Sequence, residues 1–125
     1  MIPNKSSIRL TMLTTVFVGC VVSFSASGFD LSFLKGSPIA AFSEEDRNIL
    51  VNAFRQAMAS NEDGEISEWN NPDTGNRGSI KVLKTTTRDD RPCRKVRFEN
   101  QAGKNIGRSE FFFCQAADGS WQVSQ

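Results

Sequence analysis

One stretch of the chain has apolar residues at the spacing of a helix face, and it precedes every strand-like stretch. Its apolar positions recur three and four residues apart, at Ile49, Leu50, Ala53, Phe54, Ala57 and Met58. Ser43 and Asp46 have the spacing of a helix-capping box, and Glu44 and Glu45 add negative charge in the first turn. The pattern predicts a helix from about Ser43 to about Ala59 that packs its apolar face on a sheet, with Asp46 mostly outside that face.

Shorter stretches after the helix have the alternation and the β-branched content of strands. They predict strands at residues 65–69, 79–87, 93–99, 106–115 and from 121 onward. Turn-forming residues separate them at 70–78, 88–91, 101–105 and 116–120. Strands at this spacing predict an antiparallel β-meander. The fold class is therefore α+β, with one N-terminal helix packed on a four- to five-stranded antiparallel sheet in two layers.

The densest turn chemistry lies in residues 69–78, which we call the asparagine loop. It contains three Asn, two Gly, one Pro and one Asp in ten residues. We expect the indole of Trp69 to enter the core, and we expect the Asn side chains to bind the loop's own backbone. The residues singled out as structural or as partner-binding are Trp69, Asn70, Asn71, Pro72, Gly75, Asn76 and Gly78.

The first 22 residues have the pattern of an export signal. Lys5 and Arg9 give a positive start, and residues 10–22 are uncharged and apolar apart from Thr. This apolar run is too short to span a bilayer comfortably, so a signal peptide is the better interpretation. Residues 23–42 are rich in Ser and Gly and predict a flexible tether, with a short turn around 31–34, and residues 43–125 form the domain.

Three interpretations of the signal remain open. Gly19 before Cys20 is typical of a lipoprotein signal, in which the Cys is lipidated and becomes the new N-terminus. Cleavage after Ser27 would instead release a soluble periplasmic protein. In the third interpretation Cys20 is one more apolar residue of a retained N-terminal segment. Lipidation of Cys20 would hold the protein at a membrane surface without a spanning helix.

The composition argues against most catalytic chemistry. The chain has no His and no Tyr, so it lacks the commonest general base and the commonest zinc ligand. We therefore expect no enzyme activity, no catalytic residues, no metal site and no cofactor. The formal net charge of +1 produces no strong overall field, and we expect no nucleic-acid partner.

The charge is nonetheless distributed unevenly along the chain. Residues 20–75 contain nine acidic and three basic side chains, whereas residues 76–125 contain five acidic and ten basic ones. An acidic helix over a basic sheet would explain this asymmetry. The alternative is a basic sheet face that meets an anionic partner such as lipopolysaccharide, peptidoglycan or nucleic acid. We expect the basic strand residues, Arg94, Lys95, Arg97 and Arg108, to lie on the outward face of the sheet.

The cysteines gain meaning from the export signal, because exported domains fold in an oxidising compartment. If Cys20 carries lipid, Cys93 and Cys114 remain as a pair in consecutive antiparallel strands. A structural disulfide between them is the favoured interpretation. A pair of free buried thiols and a redox site are the alternatives, and the spacing is not that of a Cys-x-x-Cys motif.

Four short motifs occur in a fixed order: Trp-x-Asn-Pro-x-Thr-Gly-Asn-x-Gly at 69–78, Pro-Cys-Arg at 92–94, Cys-Gln at 114–115 and Asp-Gly-Ser-Trp-Gln at 118–122. This ordered set resembles the bacterial 17 kDa surface antigen family of small outer-membrane lipoproteins, over residues 43–125. Longer members carry a glycine-zipper segment, which residues 24–42 do not resemble.

The resemblance implies a cell envelope protein of the outer membrane, held there by an N-terminal lipid, with a structural or interaction role. It implies no reaction and no ligand. An envelope protein or a glycan is the kind of partner to expect. The alternative function is a soluble periplasmic binding or inhibitor module that uses residues 70–78.

Overall fold

The computed structural model describes residues 31–34 and 38–124, which form one helix on a five-stranded antiparallel sheet. The elements in chain order are two short 3₁₀ helices, η1 (Ser32–Leu34) and η2 (Pro38–Ala41), the helix α1 (Glu44–Ser60), and the strands β1 (Ile66–Asn70), β2 (Arg77–Arg88), β3 (Arg91–Ala102), β4 (Asn105–Gln115) and β5 (Trp121–Ser124). Strand order in the sheet equals chain order, and every neighbouring pair is antiparallel. The predicted α+β meander is confirmed.

Helix α1 begins at the predicted capping box. Asp46 N–H donates to Ser43 Oγ at 3.1 Å, and Ser43 N–H donates to Asp46 Oδ2 at 2.8 Å. The helix ends at Ser60, one residue beyond the expected end. Its buried apolar residues are Leu50, Phe54, Ala57 and Met58, and it lies over β1 and β2.

The segment before α1 covers the rest of the same sheet face. Leu34, Ile39 and Phe42 are buried in the core, and η2 lies over β3 and β4. The predicted tether at 23–42 is therefore wrong at its end, because these three apolar side chains belong to the folded unit. The short turn expected at 31–34 is present as η1. The proposed signal peptide and Cys20 lie outside the described residues.

The core is built mainly from phenylalanine rings. Phe98 and Phe113 are fully buried and lie 4.9–5.7 Å, centroid to centroid, from the ring of Phe54 on the helix. Phe111 also faces this side, whereas Phe112 faces the opposite side of the sheet beside Arg88. Aromatic pairs at these distances contribute about 1 kcal/mol each beyond burial of their area.

Two features of β2 set the direction of its side chains. The turn to β3 contains only Asp89 and Asp90, both with positive φ (49° and 59°), as a tight two-residue hairpin requires. An irregularity between Val82 and Lys84 shifts the pairing with β3. Beyond it Lys84 faces away from the helix and Thr85 faces toward it.

The predicted disulfide is present. Cys93 on β3 and Cys114 on β4 are directly opposite each other, with Cα atoms 4.0 Å apart and the sulfurs bonded. The bond closes a loop with a sequence separation of 21 residues. In the chain-entropy model a loop of this length contributes about 3 kcal/mol to the free energy of unfolding.

Candidate functional site

Asp46 is the centre of a buried polar network that joins α1 to the asparagine loop. Its side chain is 0% exposed. Oδ1 accepts hydrogen bonds from Asn71 Nδ2 at 2.8 Å and from Thr74 Oγ1 at 2.7 Å. Oδ2 accepts from Asn76 Nδ2 and from the Ser43 backbone N–H, both at 2.8 Å. One carboxylate therefore binds three side chains of the loop and the N-terminus of the helix.

These hydrogen bonds determine the charge state of Asp46. Burial alone would raise the pKa of the carboxyl, because desolvation disfavours its charged form. The bonds from Thr74, Asn76, Ser43 and Asn71 outweigh this effect and hold the pKa of Asp46 well below its usual range. The network therefore contains a buried carboxylate at neutral pH. The four groups that donate to this carboxylate all point into the fold.

The asparagine loop also forms hydrogen bonds within itself. The expectation that its Asn side chains bind the loop backbone is met by Asn71. Asn71 N–H donates to the Asn76 carbonyl at 2.9 Å, and Asn71 Oδ1 accepts from Asp73 N–H at 3.0 Å. The side-chain amide of Asn76 does not bind the loop backbone, contrary to expectation, because Asp46 is its acceptor. Asn71 and Asn76 are 1% and 9% exposed. The loop presents to solvent only Asn70, Arg77 and its tip, residues 72–75.

Gly78 is the tightest point of this region. It lies within β2, opposite Trp69 on β1 and Asn100 on β3. A Cβ atom at Gly78 would lie 2.5 Å from Trp69 Nε1, 2.5 Å from the Glu99 carbonyl oxygen and 2.6 Å from Asn100 Oδ1. The buried Trp69 Nε1 and Asn100 Oδ1 have no hydrogen-bond partner within the described part of the chain. The close approach of these three atoms therefore requires Gly at position 78.

Gly78→Ala should lower the free energy of unfolding by about 2–3 kcal/mol, because the added methyl overlaps backbone as well as the indole. Urea denaturation of the two proteins measures the difference. Ser79→Ala on the next residue, which is only half-buried, is the matched control and should change stability by less than about 0.5 kcal/mol. Equal stability of the wild type and G78A would contradict the close packing at this position.

Arg94 corrects a second expectation, since it lies on the helix side of the sheet and is 8% exposed. Its Nη1 donates to the carbonyls of Ala57 at 3.3 Å and Met58 at 2.9 Å, and its Nη2 donates to the Asn61 carbonyl. Its Nε donates to Thr85 Oγ1 at 2.9 Å. One guanidinium therefore satisfies carbonyls at the end of α1, where a positive charge also suits the helix dipole.

An open groove of about 1150 Å³ lies beside Arg94, between the second half of α1 and strand β5. Met58, Phe33 and Trp121 provide apolar walls, and Thr85 and Arg94 provide polar ones. None of the residues singled out in the asparagine loop lines this groove. The loop and the groove are therefore separate features of the domain.

Two kinds of feature are absent from residues 31–34 and 38–124. No group of three or more Cys, Asp or Glu side chains there is arranged to hold a metal ion. No helix within the same residues has the length and apolarity needed to cross a bilayer.

The stretch that contains the four ordered motifs also matches a family of known proteins. The model of the 17 kDa outer membrane surface antigen family matches residues 56–122, which is more than half of the chain. The chain belongs to this family. The match includes the asparagine loop, Arg94 and both bonded cysteines, whereas Asp46 lies before it.

The 17 kDa surface antigens of two Rickettsia species are similar to this surface antigen family member. That of Rickettsia prowazekii (strain Madrid E) is 32% identical over 81 residues, which cover 64% of this chain and 51% of the relative. That of Rickettsia bellii (strain RML369-C) is 29% identical over 87 residues, 67% of this chain and 54% of the relative. The chain spans about half the length of the curated relatives that it matches. No solved structure matches it.

Proposed function

We propose that this surface antigen family member is a non-enzymatic protein of the cell envelope, attached to the outer membrane by lipid on Cys20. The family match over residues 56–122 carries the proposal, because the family is named for surface antigens of the outer membrane. Its role there is structural or interactive. The envelope location is common to the family name and to the relatives' names, and the lipid attachment is the finer part of the proposal.

The use of polar groups in the domain supports a non-enzymatic role. The Asn and Thr side chains of the asparagine loop bind Asp46 inside the fold instead of facing the groove. Arg94, the buried cation at the groove, binds the end of α1. These groups hold the helix, the loop and the sheet together, which is the task of a stable scaffold at an exposed location.

One observation favours the alternative of a binding or inhibitor module. The exposed tip of the asparagine loop, residues 72–75, is held on a base that is fully bonded to Asp46. A pre-ordered tip loses less conformational entropy on binding than a flexible one. In that function the tip would contact an envelope protein or a glycan while Asn71 and Asn76 hold its shape.

Detergent partition and intact mass test the lipid attachment at Cys20. The protein made in a Gram-negative host should enter the detergent phase, and its mass should correspond to a chain that begins at Cys20 and carries acyl groups. Cys20→Ala should move the protein to the aqueous phase or leave the signal uncleaved. Ser23→Ala, which keeps the thiol and alters a nearby small residue, should behave as the wild type.

A mature mass without acyl groups would contradict lipid attachment and support the alternative of a soluble binding module. A mature chain that begins at Gly28, without acyl groups and in the aqueous phase, would show that cleavage follows Ser27. The protein would then be a soluble periplasmic module, and the exposed tip would become its leading candidate for a binding site.

A further inference from the structure

The face of the sheet opposite α1 is covered by no described element, and we call it the bare face. Helix α1, η1 and η2 all pack on the other side. Strands β2 and β3 place a set of cations on the bare face, namely Lys81, Lys84, Arg88, Arg91, Lys95 and Arg97. These positions share one face because they are paired across the strands or alternate along them.

Three cross-strand pairs on the bare face join like charges. Lys81 is directly opposite Arg97, Lys84 is directly opposite Lys95, and Arg88 is directly opposite Arg91. Like charges at directly opposed positions destabilise a sheet. An anion that binds between such side chains removes this repulsion, so the arrangement favours an anionic ligand.

The acids on the bare face do not neutralise this cluster. Glu110 binds Arg97 at 2.8 Å and Lys95 at 3.6 Å, and Glu99 binds Arg108 at 2.6 Å. Within residues 31–34 and 38–124, no carboxylate oxygen lies within 4.0 Å of the charged groups of Lys84, Arg88 or Arg91. Asp89 and Asp90 form the turn between Arg88 and Arg91 and offset two of these charges. The six cations of the bare face exceed Asp89, Asp90 and Glu110 in number, so the patch keeps a net positive charge.

An aromatic ring lies within the patch. The guanidinium of Arg88 is 4.5 Å from the centroid of Phe112, and Lys95 Nζ is 5.8 Å from it. Phe112 is half-buried beside the Cys93–Cys114 disulfide on the same face. Basic side chains around a Phe ring on an open sheet face suit a membrane surface, where cations meet phosphate groups and the apolar ring packs at the boundary between headgroups and acyl chains.

The opposite side of the domain carries acidic groups. Glu44 and Glu45 are exposed in the first turn of α1, and Glu62, Asp63 and Glu65 are exposed beyond its end. The domain therefore has positive and negative sides. Near a negatively charged surface such a molecule turns its positive side toward that surface. This orientation brings the basic side chains close enough to contact the surface.

We propose that the bare face binds an anionic lipid surface, with lipid phosphates contacting Lys84, Arg88, Arg91 and Lys95 around Phe112. The proposal rests on the envelope location proposed above, but it does not require lipid on Cys20. It gives the folded domain a defined orientation on the bilayer, with the exposed tip of the asparagine loop as a separate surface.

Vesicle partition of the full chain tests this proposal. Binding is measured on phosphatidylcholine vesicles and on vesicles that also contain phosphatidylglycerol, and the ratio of the two partition coefficients isolates the anionic contribution. An N-terminal lipid or apolar segment affects both vesicles alike, so the ratio is insensitive to the Cys20 proposal. Lys84→Gln/Arg88→Gln should lower the ratio about 25-fold, since each cation near an anionic surface contributes about fivefold.

Arg47→Gln/Arg55→Gln is the matched control, because it removes two exposed cations from the helix side. Its ratio should stay within about twofold of the wild type, since those charges are more than a Debye length from the lipid at about 0.1 M salt. Unfolding in urea verifies that both double variants are folded.

Two results would overturn the proposal, and the second has a variant that names another ligand. Equal losses in the two double variants would show a response to net charge alone. A wild-type ratio near one would show that anionic lipid is not bound. A ratio near one together with retention on an immobilised oligonucleotide or acidic polysaccharide would assign the bare face to a polyanion instead. Loss of detergent partition in Cys20→Ala is a separate observation and tests only the attachment.

Discussion

Asp46→Asn is expected to lower the free energy of unfolding by about 3–4 kcal/mol. The amide cannot accept from Asn71, Thr74, Asn76 and the Ser43 backbone at once, and one of its ends places an NH₂ against another donor. Breaking a buried charged network by changing one partner typically costs this much. Urea denaturation at neutral pH measures the loss.

The neighbouring exposed residue provides the control. Glu45→Gln removes a charge from the same helix turn and should cost less than about 0.5 kcal/mol. The pH dependence gives an independent readout. Because the folded-state pKa of Asp46 lies below its unfolded value, its stabilisation is present above the ordinary carboxyl range and is lost as the pH falls. D46N should therefore lose less stability than the wild type below about pH 5. Equal costs for D46N and E45Q would contradict the central role of Asp46.

Arg94→Met should lower the free energy of unfolding by about 3 kcal/mol. The carbonyls of Ala57, Met58 and Asn61 lose a charged donor in a nearly buried location, and bonds of that kind contribute about 1.5–3 kcal/mol. Urea denaturation measures the loss. Amide hydrogen exchange should also become faster in the last turn of α1, where Asn61 N–H donates to the Ala57 carbonyl.

Arg97→Met is the matched control on the same strand. Arg97 faces the other side of the sheet and forms an ion pair with the partly exposed Glu110, so its loss should cost less than about 1 kcal/mol. If R97M destabilised the protein as much as R94M, the bonds from Arg94 to the end of α1 would not be the cause.

The order of elements and the strand directions were readable from the sequence because local patterns determine them. Turn-forming residues predicted a turn at 88–91, and it is present in the shorter form of Asp89 and Asp90, because Arg88 and Arg91 pair with each other as strand residues. The disulfide followed from two cysteines in consecutive strands. Each of these features depends on residues that are neighbours in the chain or in one hairpin, so tertiary packing had little to override.

The two buried polar centres were missed although the sequence contains a signal for each. Asp46 is four residues before Leu50 and eight before Phe54, so it shares their helix face, yet its capping role was sufficient to explain it. Arg94 is two residues before Val96 and so shares its strand face. A charge at an inward position is usually an argument against burial, and only the tertiary partners show why these two are stable there.

Two other features needed three-dimensional information. The shift in pairing after Val82 changes which side chains of β2 face the helix, and no residue type in that stretch marks it. The burial of Leu34, Ile39 and Phe42 depends on the part of the sheet that α1 leaves open. A Ser- and Gly-containing segment with scattered apolar residues does not reveal such a surface by its own pattern.

The chain-ordered sheet also has a kinetic consequence. Each strand pairs with the next one in sequence, so hairpin contacts join residues that are close along the chain and can form early. The bonds of Asp46 instead join the helix to a loop, at positions 25–30 residues apart. They require both a formed helix and a formed first hairpin. We therefore expect docking of the helix N-terminus onto the asparagine loop to follow formation of these two elements during folding.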